Sequence, residues 1–211
     1  GDLTLGEIQK LDRDYEFDKS EKNRWKNIPQ TAPHNKLKLL ERLQKVAEFA
    51  NEFPFNEVKN IDGAKVGIIS SGVAYAHTLD VMNMLDLNEE ASILKLGMVY
   101  PLPRKLLVDF MKKHEKIVIV EELEPVLEQE IKAIAYDEGI KTKILGKDTF
   151  PQIFELFPEV IGDRFAKIFD KENIFVMPDR ADVLQAPPRP PDLCAGCGHP
   201  NTYKAVAGFE R

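Results

Sequence analysis

The sequence predicts an α/β fold in which a mostly parallel sheet carries helices on both faces. Two observations lead to this prediction. Short apolar runs alternate along the chain with segments of helical periodicity, as in proteins whose parallel strands are joined by helical crossovers. The runs are also apolar at nearly every position, which is typical of strands covered on both faces.

We expect four strands, and each has its own signal. Residues 65–70 and 92–96 are short apolar runs, and residues 116–121 and 141–145 give the third and fourth strands. Ile119 has apolar neighbours on both sides, so we expect it to be buried. Pro103, Pro125 and Pro158 open helices after these runs, and Gly139 ends the helix that follows Pro125.

The chain is expected to divide into four parts. Residues 1–55 form a polar connector and a helix, in which Leu40, Leu43 and Ala47 share one face. Residues 56–170 form the compact α/β domain. Residues 171–193 form a proline-rich linker that the prolines stiffen, and residues 194–211 open a further domain.

Composition excludes several classes of function. The chain has 211 residues and a net charge of −6, and no basic patch with interleaved aromatic residues marks a nucleic-acid binder. No apolar run approaches the roughly 18 residues of a membrane span. Two cysteines do not make a disulfide framework. We therefore expect a cytoplasmic protein that binds neither nucleic acid nor membrane.

The two cysteines, Cys194 and Cys197, form a C-x-x-C motif with Gly196 between them. Thiolates at this spacing can bind one metal ion or cluster, and the glycine allows the turn. The pair could be half of a zinc site, part of an iron–sulphur site, or two unliganded thiols. Both metal sites need about two further ligands, and the chain has no other cysteine. We therefore expect the chain to be a piece of a longer protein.

Other polar residues have a simpler interpretation beside the functional one. Residues 70–72 (SSG) lie between a strand and a helix, where serines are expected to cap the helix and where its amides could also hold an anion. Glu121, Glu122 and Glu124 follow a buried strand, where they could act as acid or base or stabilise a helix N-terminus. His34, His77 and His114 lack ligand spacing, and the charged neighbours of His114 predict that it is solvated.

Several short blocks, taken in order, resemble the alpha subunit of the indolepyruvate ferredoxin oxidoreductase family. The resemblance extends from about residue 33 to residue 203. It is carried by residues 55–56 (FN), 67–75 (GIISSGVAY), 95–103 (KLGMVYPLP), 120–125 (VEELEP), 145–147 (LGK) and 189–191 (RPP), followed by the cysteine motif.

This resemblance implies the fold, the cofactors and the partners. Residues 56–170 would be similar to the transketolase C-terminal domain, and residues 194–211 would begin a truncated thiamine diphosphate-binding domain. The intact enzyme would use thiamine diphosphate, Mg²⁺ and [4Fe-4S] clusters to convert aryl 2-oxo acids and coenzyme A into acyl-CoA and CO₂. It would reduce ferredoxin and assemble with a beta subunit. Gly196, Cys197, Gly198 and His199 would contribute to cofactor binding, and Cys194 and Cys197 to metal binding.

The resemblance also implies that this chain is a noncatalytic part, inactive alone. A helix start alone rarely needs three acids in four positions, so we favour a contact with a neighbouring domain or subunit for Glu121 or Glu122. In the isolated chain we expect both carboxylates to be exposed. Two alternatives remain. The cysteine motif with Gly198 after Cys197 resembles the C-x-G-C-G motif in the beta subunits of other 2-oxo-acid ferredoxin oxidoreductases. This resemblance favours a pyruvate- or 2-oxoglutarate-type enzyme. A zinc-binding α/β interaction module is the other.

Overall fold

The computed structural model of the chain describes residues 26–176 and 196–208, which fall into two compact units divided between Phe175 and Val176. The first unit begins with helix α1 (Ala32–Ala50) and contains the strands β1 (Glu57–Lys59), β2 (Val66–Ser71), β3 (Ala91–Leu96), β4 (Lys116–Val120) and β5 (Lys143–Leu145). Its other helices are α2 (Gly72–Met84), α3 (Arg104–Met111), α4 (Val126–Asp137) and α5 (Pro158–Phe169), and the second unit contains α6 (His199–Ala207).

The five strands form one sheet in the order β1-β3-β2-β4-β5. Strand β2 pairs in parallel with both β3 and β4, and β4 pairs in parallel with β5. Only β1, among these strands, is antiparallel to its neighbour β3. The predicted mostly parallel sheet is therefore confirmed, and the carboxyl ends of β2, β3, β4 and β5 share one edge.

Two apolar clusters cover the two faces of the sheet. Alternate residues of one strand serve different clusters, as Ile68 and Ile69 of β2 do, because successive side chains of a strand point to opposite faces. The cluster of Ile68 includes residues of α2 and α5, and that of Ile69 includes residues of α3 and α4. Ile119 lies in the second cluster and is 1% exposed, so its predicted burial is confirmed.

The first helix and the last residues of the first unit have contrasting environments. Helix α1 carries the predicted face of Leu40, Leu43 and Ala47, but along its length only Ala50 is buried. Phe175, which falls within the predicted linker, is buried against Gly162 of α5. No helix in the described ranges is long and apolar enough to cross a membrane.

Strand β1 was not predicted. It has three residues, all exposed, at the edge of the sheet. The sequence Glu57-Val58-Lys59 carries no apolar alternation because neither face of this strand is covered. The strand forms through backbone pairing with β3, supported by a 2.5 Å ion pair between Glu57 and Lys95.

The prediction that His114 is solvated was wrong. His114 is only 6% exposed, and its ring lies 4.6 Å from the ring of Phe110. Its Nδ1 lies 2.8 Å from the carbonyl oxygen of Phe110, and since that oxygen can only accept, Nδ1 carries the proton. Room for the imidazole comes from Gly67, where a Cβ would approach Nδ1 of His114 to 2.8 Å. The charged neighbours of His114 in sequence gave no sign of this space.

His114 should make the stability of the chain depend on pH. Burial lowers the pKa of its imidazole, and Lys113 acts in the same direction, although the bond to Phe110 opposes them. The unfolded chain then binds the proton more readily, so the free energy of unfolding should fall as pH drops from above about 6.5 to the lowered folded-state pKa. Urea unfolding of wild type and His114→Gln between about pH 5 and 8 measures this slope.

The slope should be smaller in His114→Gln than in the wild type. His34 is exposed at the start of α1, so His34→Gln is the matched control and should keep the wild-type slope. A His114→Gln variant whose stability follows pH as steeply as the wild type would contradict the assignment.

Candidate functional site

The carboxyl edge of the sheet is organised around Glu121, which directly follows β4. Its side chain is buried, with the residue 8% exposed. The backbone N–H groups of Leu127 and Glu128 donate to its two carboxylate oxygens at 2.8 and 2.9 Å. These amides lie in the first turn of α4, where a helix has unsatisfied donors and a partial positive charge. Glu121 thus binds the N-terminus of α4 from six residues upstream.

Glu128 and Lys147 connect this helix to the loop after β5. Glu128 is 5% exposed. Its carboxylate accepts the backbone N–H of Lys147 at 2.8 Å and the ammonium of Lys132 at 2.5 Å. A Cβ at Gly146 would collide with this carboxylate, so the absence of a side chain there lets the loop approach α4.

The ammonium of Lys147 binds the two loops together. Its Nζ donates to the carbonyl oxygen of Glu121 and, at 3.4 Å, to that of Pro151. Burial lowers the pKa of Lys147, while the carboxylates of Glu121, Glu128, Glu122 and Glu124 act in the opposite direction. The β4–α4 and β5–α5 loops are therefore fixed to each other at this edge.

The predicted exposure of the two glutamates holds for one of them. Glu122 is exposed, and its Oε2 accepts the backbone N–H of Leu156 at 3.3 Å. The prediction was wrong for Glu121, whose carboxylate is buried because it satisfies the α4 amides. The simpler interpretation, stabilisation of a helix N-terminus, describes Glu121 in this structure.

A groove of about 800 Å³ lies beside these residues at the carboxyl edge. It is formed by the β4–α4 loop, the first turn of α2 and the β3–α3 loop. Its lining residues are Ser71, Val73, Ala74, Val99, Tyr100, Glu121, Glu122, Leu123, Glu124, Val126, Leu127 and Glu130. The charged side chains among them are all carboxylates, and most of the others are apolar.

The serines at the β2–α2 junction do not cap the helix as expected. Ser70 is buried, and its hydroxyl donates to the carbonyl oxygen of Val120 at 2.7 Å, which links β2 to β4. Ser71 occupies the N-cap position of α2 but makes no side-chain capping bond. His77, further along α2, has its Nδ1 2.9 Å from the carbonyl oxygen of Leu156.

The second unit contains the described half of the cysteine motif. Cys197 is a free, partly exposed thiol whose Sγ lies 3.0 Å from Nδ1 of His199, the first residue of α6. Gly196 has a φ of +78°, a conformation that favours glycine. Gly198 is the N-cap residue of α6, and Cys194 lies outside the described residues.

The donors present fit part of an iron–sulphur or zinc site. A thiolate and an imidazole are both ligands for these metals. Within residues 26–176 and 196–208, no group of three or more His, Cys, Asp or Glu side chains could hold a metal ion. Cys197 and His199 could thus supply two donors, and a four-ligand site would need others.

Comparison with known proteins identifies the family. The family described as the indolepyruvate oxidoreductase domain matches residues 56–178. The chain belongs to this indolepyruvate oxidoreductase domain family. The matched range includes the whole sheet from β1 to β5, together with Glu121, Glu128 and Lys147.

Individual relatives agree with this family assignment. The chain is 36% identical to the indolepyruvate oxidoreductase subunit IorA of Thermococcus kodakarensis and to that of Pyrococcus abyssi, over 98% of this chain and 33% of each relative. The chain thus spans about a third of their length. A 2-oxoglutarate:ferredoxin oxidoreductase from Magnetococcus marinus has a TM-score of 0.48 and 20% identity, over 67% of this chain and 24% of that one.

Sequence reasoning from the residues did not identify Glu128 and Lys147 as parts of this edge. Their contact spans 19 residues of sequence, so no local spacing predicts it. The one sequence signal for Lys147 was its place in residues 145–147, a block that contributed to the family resemblance but suggested no role for the lysine.

Glu121→Gln should destabilise the chain by about 1.5–3 kcal/mol, the range for a hydrogen bond to a charged group. Glutamine keeps one acceptor, but its amide donors would face a backbone N–H of α4. Urea unfolding at neutral pH measures the loss. Glu124→Gln is the matched control, because Glu124 is exposed in the same loop and should change stability by less than about 0.5 kcal/mol. Equal stability of Glu121→Gln and the wild type would contradict the proposed role of the carboxylate.

Proposed function

We propose that this chain is a noncatalytic domain of an enzyme that oxidatively decarboxylates aryl 2-oxo acids such as indolepyruvate. The 2-oxo acid and the thiol of coenzyme A give acyl-CoA, CO₂ and a proton, and the two electrons left by the lost carboxylate pass one at a time to oxidised ferredoxin. Family membership and the names of the relatives support the reaction. The beta subunit and ferredoxin are the proposed protein partners.

The engagement of Glu121 carries the proposal that this domain is noncatalytic. At the carboxyl edge of a parallel sheet, where ligands usually bind, Glu121 is the buried acid that lines the groove and could act as a general base. Both of its oxygens already accept backbone N–H groups of α4. Its carboxylate therefore stabilises the adjoining loop and helix, which supports a positioning role for this edge.

The cofactors would be held in part by the second unit. Gly196, Cys197, Gly198 and His199 would lie at the edge of a thiamine diphosphate and Mg²⁺ site, where the turn at Gly196 precedes the N-terminus of α6. Cys194 and Cys197 would bind a [4Fe-4S] cluster. When bound, thiamine diphosphate supplies carbanion stabilisation and the cluster supplies one-electron transfer. The chain's own contribution there would be to position the turn and supply thiolates.

The first unit would position other parts of the enzyme. Glu122 is exposed at the carboxyl edge, beside a loop that Lys147 fixes. We assign it to a contact with a neighbouring domain or subunit, where a cation would meet its carboxylate. Glu121 would contribute to that contact indirectly, by holding the loop.

The test compares this chain with the full-length protein and its partner subunits. The chain alone should bind no thiamine diphosphate by calorimetry in the presence of Mg²⁺. The complete enzyme, assayed without oxygen, should reduce ferredoxin in a reaction that depends on coenzyme A and prefers indolepyruvate to pyruvate and 2-oxoglutarate.

Each arm has a result that counts against the proposal. Micromolar binding of thiamine diphosphate by the chain alone would show that it contains a complete cofactor site. A complete enzyme that prefers pyruvate or 2-oxoglutarate would show that its substrate is not an aryl 2-oxo acid. Stoichiometric zinc in the purified protein, with no ferredoxin reduction, would favour the zinc-binding interaction module.

A further inference from the structure

Exposed apolar side chains from three separate connections meet at the carboxyl-edge groove. Val73 in the first turn of α2 is 63% exposed, Tyr100 in the β3–α3 loop is 72% exposed, and Val126 at the start of α4 is 63% exposed. Val99 and Leu123 are each about half exposed. Single exposed apolar residues are ordinary, but a cluster of them with a polar rim marks an interaction site.

The loop that presents Leu123 is held in place before any partner binds. Glu121 on one side is bonded to α4, Lys147 binds its carbonyl, and Glu122 accepts the N–H of Leu156. Leu123 itself has a φ of +58°, a conformation that a leucine keeps only where its surroundings enforce it. This arrangement leaves the Leu123 side chain 48% exposed at the groove. Because the loop backbone is already held, less chain freedom is lost when a partner binds, which favours association.

The charge of the groove indicates the chemistry of its partner. Glu122, Glu124 and Glu130 line it, and no lysine or arginine is among the lining residues. Surfaces that bind each other usually have complementary potentials. The complementary surface therefore carries an apolar side chain flanked by lysine or arginine.

We propose that the partner is a neighbouring domain of the same, longer polypeptide, which inserts an apolar side chain beside Leu123 and pairs its cations with Glu122, Glu124 and Glu130. The relatives are about three times as long as this chain, so such a domain would be present. Interfaces between domains of one chain contain more polar contacts than permanent subunit interfaces, and the carboxylates of Glu122, Glu124 and Glu130 would supply such contacts here. A second copy would bring the same carboxylates together. The proposal rests on the noncatalytic, positioning role proposed above.

Photo-crosslinking in the full-length protein, assembled with its partner subunits, tests this proposal. Leu123→p-benzoylphenylalanine places the probe at the groove. Tyr136→p-benzoylphenylalanine is the matched control, because Tyr136 is 87% exposed further along α4 and outside the groove lining. Irradiation should join position 123 to a peptide of the same polypeptide, outside residues 1–211 and containing lysine or arginine. Position 136 should not give that product.

Charge reversal tests the complementarity. Glu124→Lys, introduced with the probe at position 123, should lower the yield of that crosslink by about tenfold or more, since it sets like charges against each other. Glu89→Lys is the control, because Glu89 is exposed before β3, at the opposite edge of the sheet. It should leave the yield unchanged. Thermal melting of each variant verifies that the fold is retained.

The outcomes separate this proposal from the proposed function. A crosslink from position 123 to another subunit or to a second copy, or no crosslink in a folded variant, would overturn it. An unchanged yield in Glu124→Lys would overturn the charge pairing. If the intramolecular crosslink forms but the complete enzyme oxidises no 2-oxo acid, the proposed function fails and the docking site stands.

Discussion

The buried carboxylate of Glu121 determines how the carboxyl edge of this domain is built. Burying a charge is costly unless hydrogen bonds satisfy it. Here the first-turn amides of α4 provide two such bonds, and the helix dipole favours the negative charge at that position. The buried carboxylate thus gains two hydrogen bonds, and two first-turn amides of α4 gain an acceptor. The result is a fixed direction for the chain between the end of β4 and the start of α4.

This fixed loop has consequences for its neighbours. The ammonium of Lys147 donates to the carbonyl oxygen of Glu121, and the backbone N–H of Lys147 donates to the carboxylate of Glu128. These two bonds fix the β5–α5 loop against α4. The lack of a side chain at Gly146 permits this approach. The shape of the groove depends on the same contacts, since Leu123 is presented by the loop that they hold.

The sheet could be predicted from sequence because its signal is local. The apolar runs around Ile68, Ile93 and Ile119 reflect burial on both faces, and each strand was placed close to its observed range. Strand β1 could not be predicted, since its exposed residues pair only through the backbone. The site was harder to predict. Glu121 could serve a helix or a partner on sequence grounds, and the burial of His114 depends on Gly67, which is far away in sequence. The resemblance carried by short ordered blocks gave the family, which no single block or composition could give.

Native-state hydrogen exchange of the backbone amides tests the central role of Glu121 most directly. Leu127 and Glu128 are the second and third residues of α4, and Val73 and Ala74 have the same positions in α2, where Ser71 makes no capping bond. First-turn amides without a partner exchange readily. The account predicts that the amides of Leu127 and Glu128 exchange much more slowly than those of Val73 and Ala74. Equal, fast exchange at all four positions, with Ile131 still protected, would contradict it.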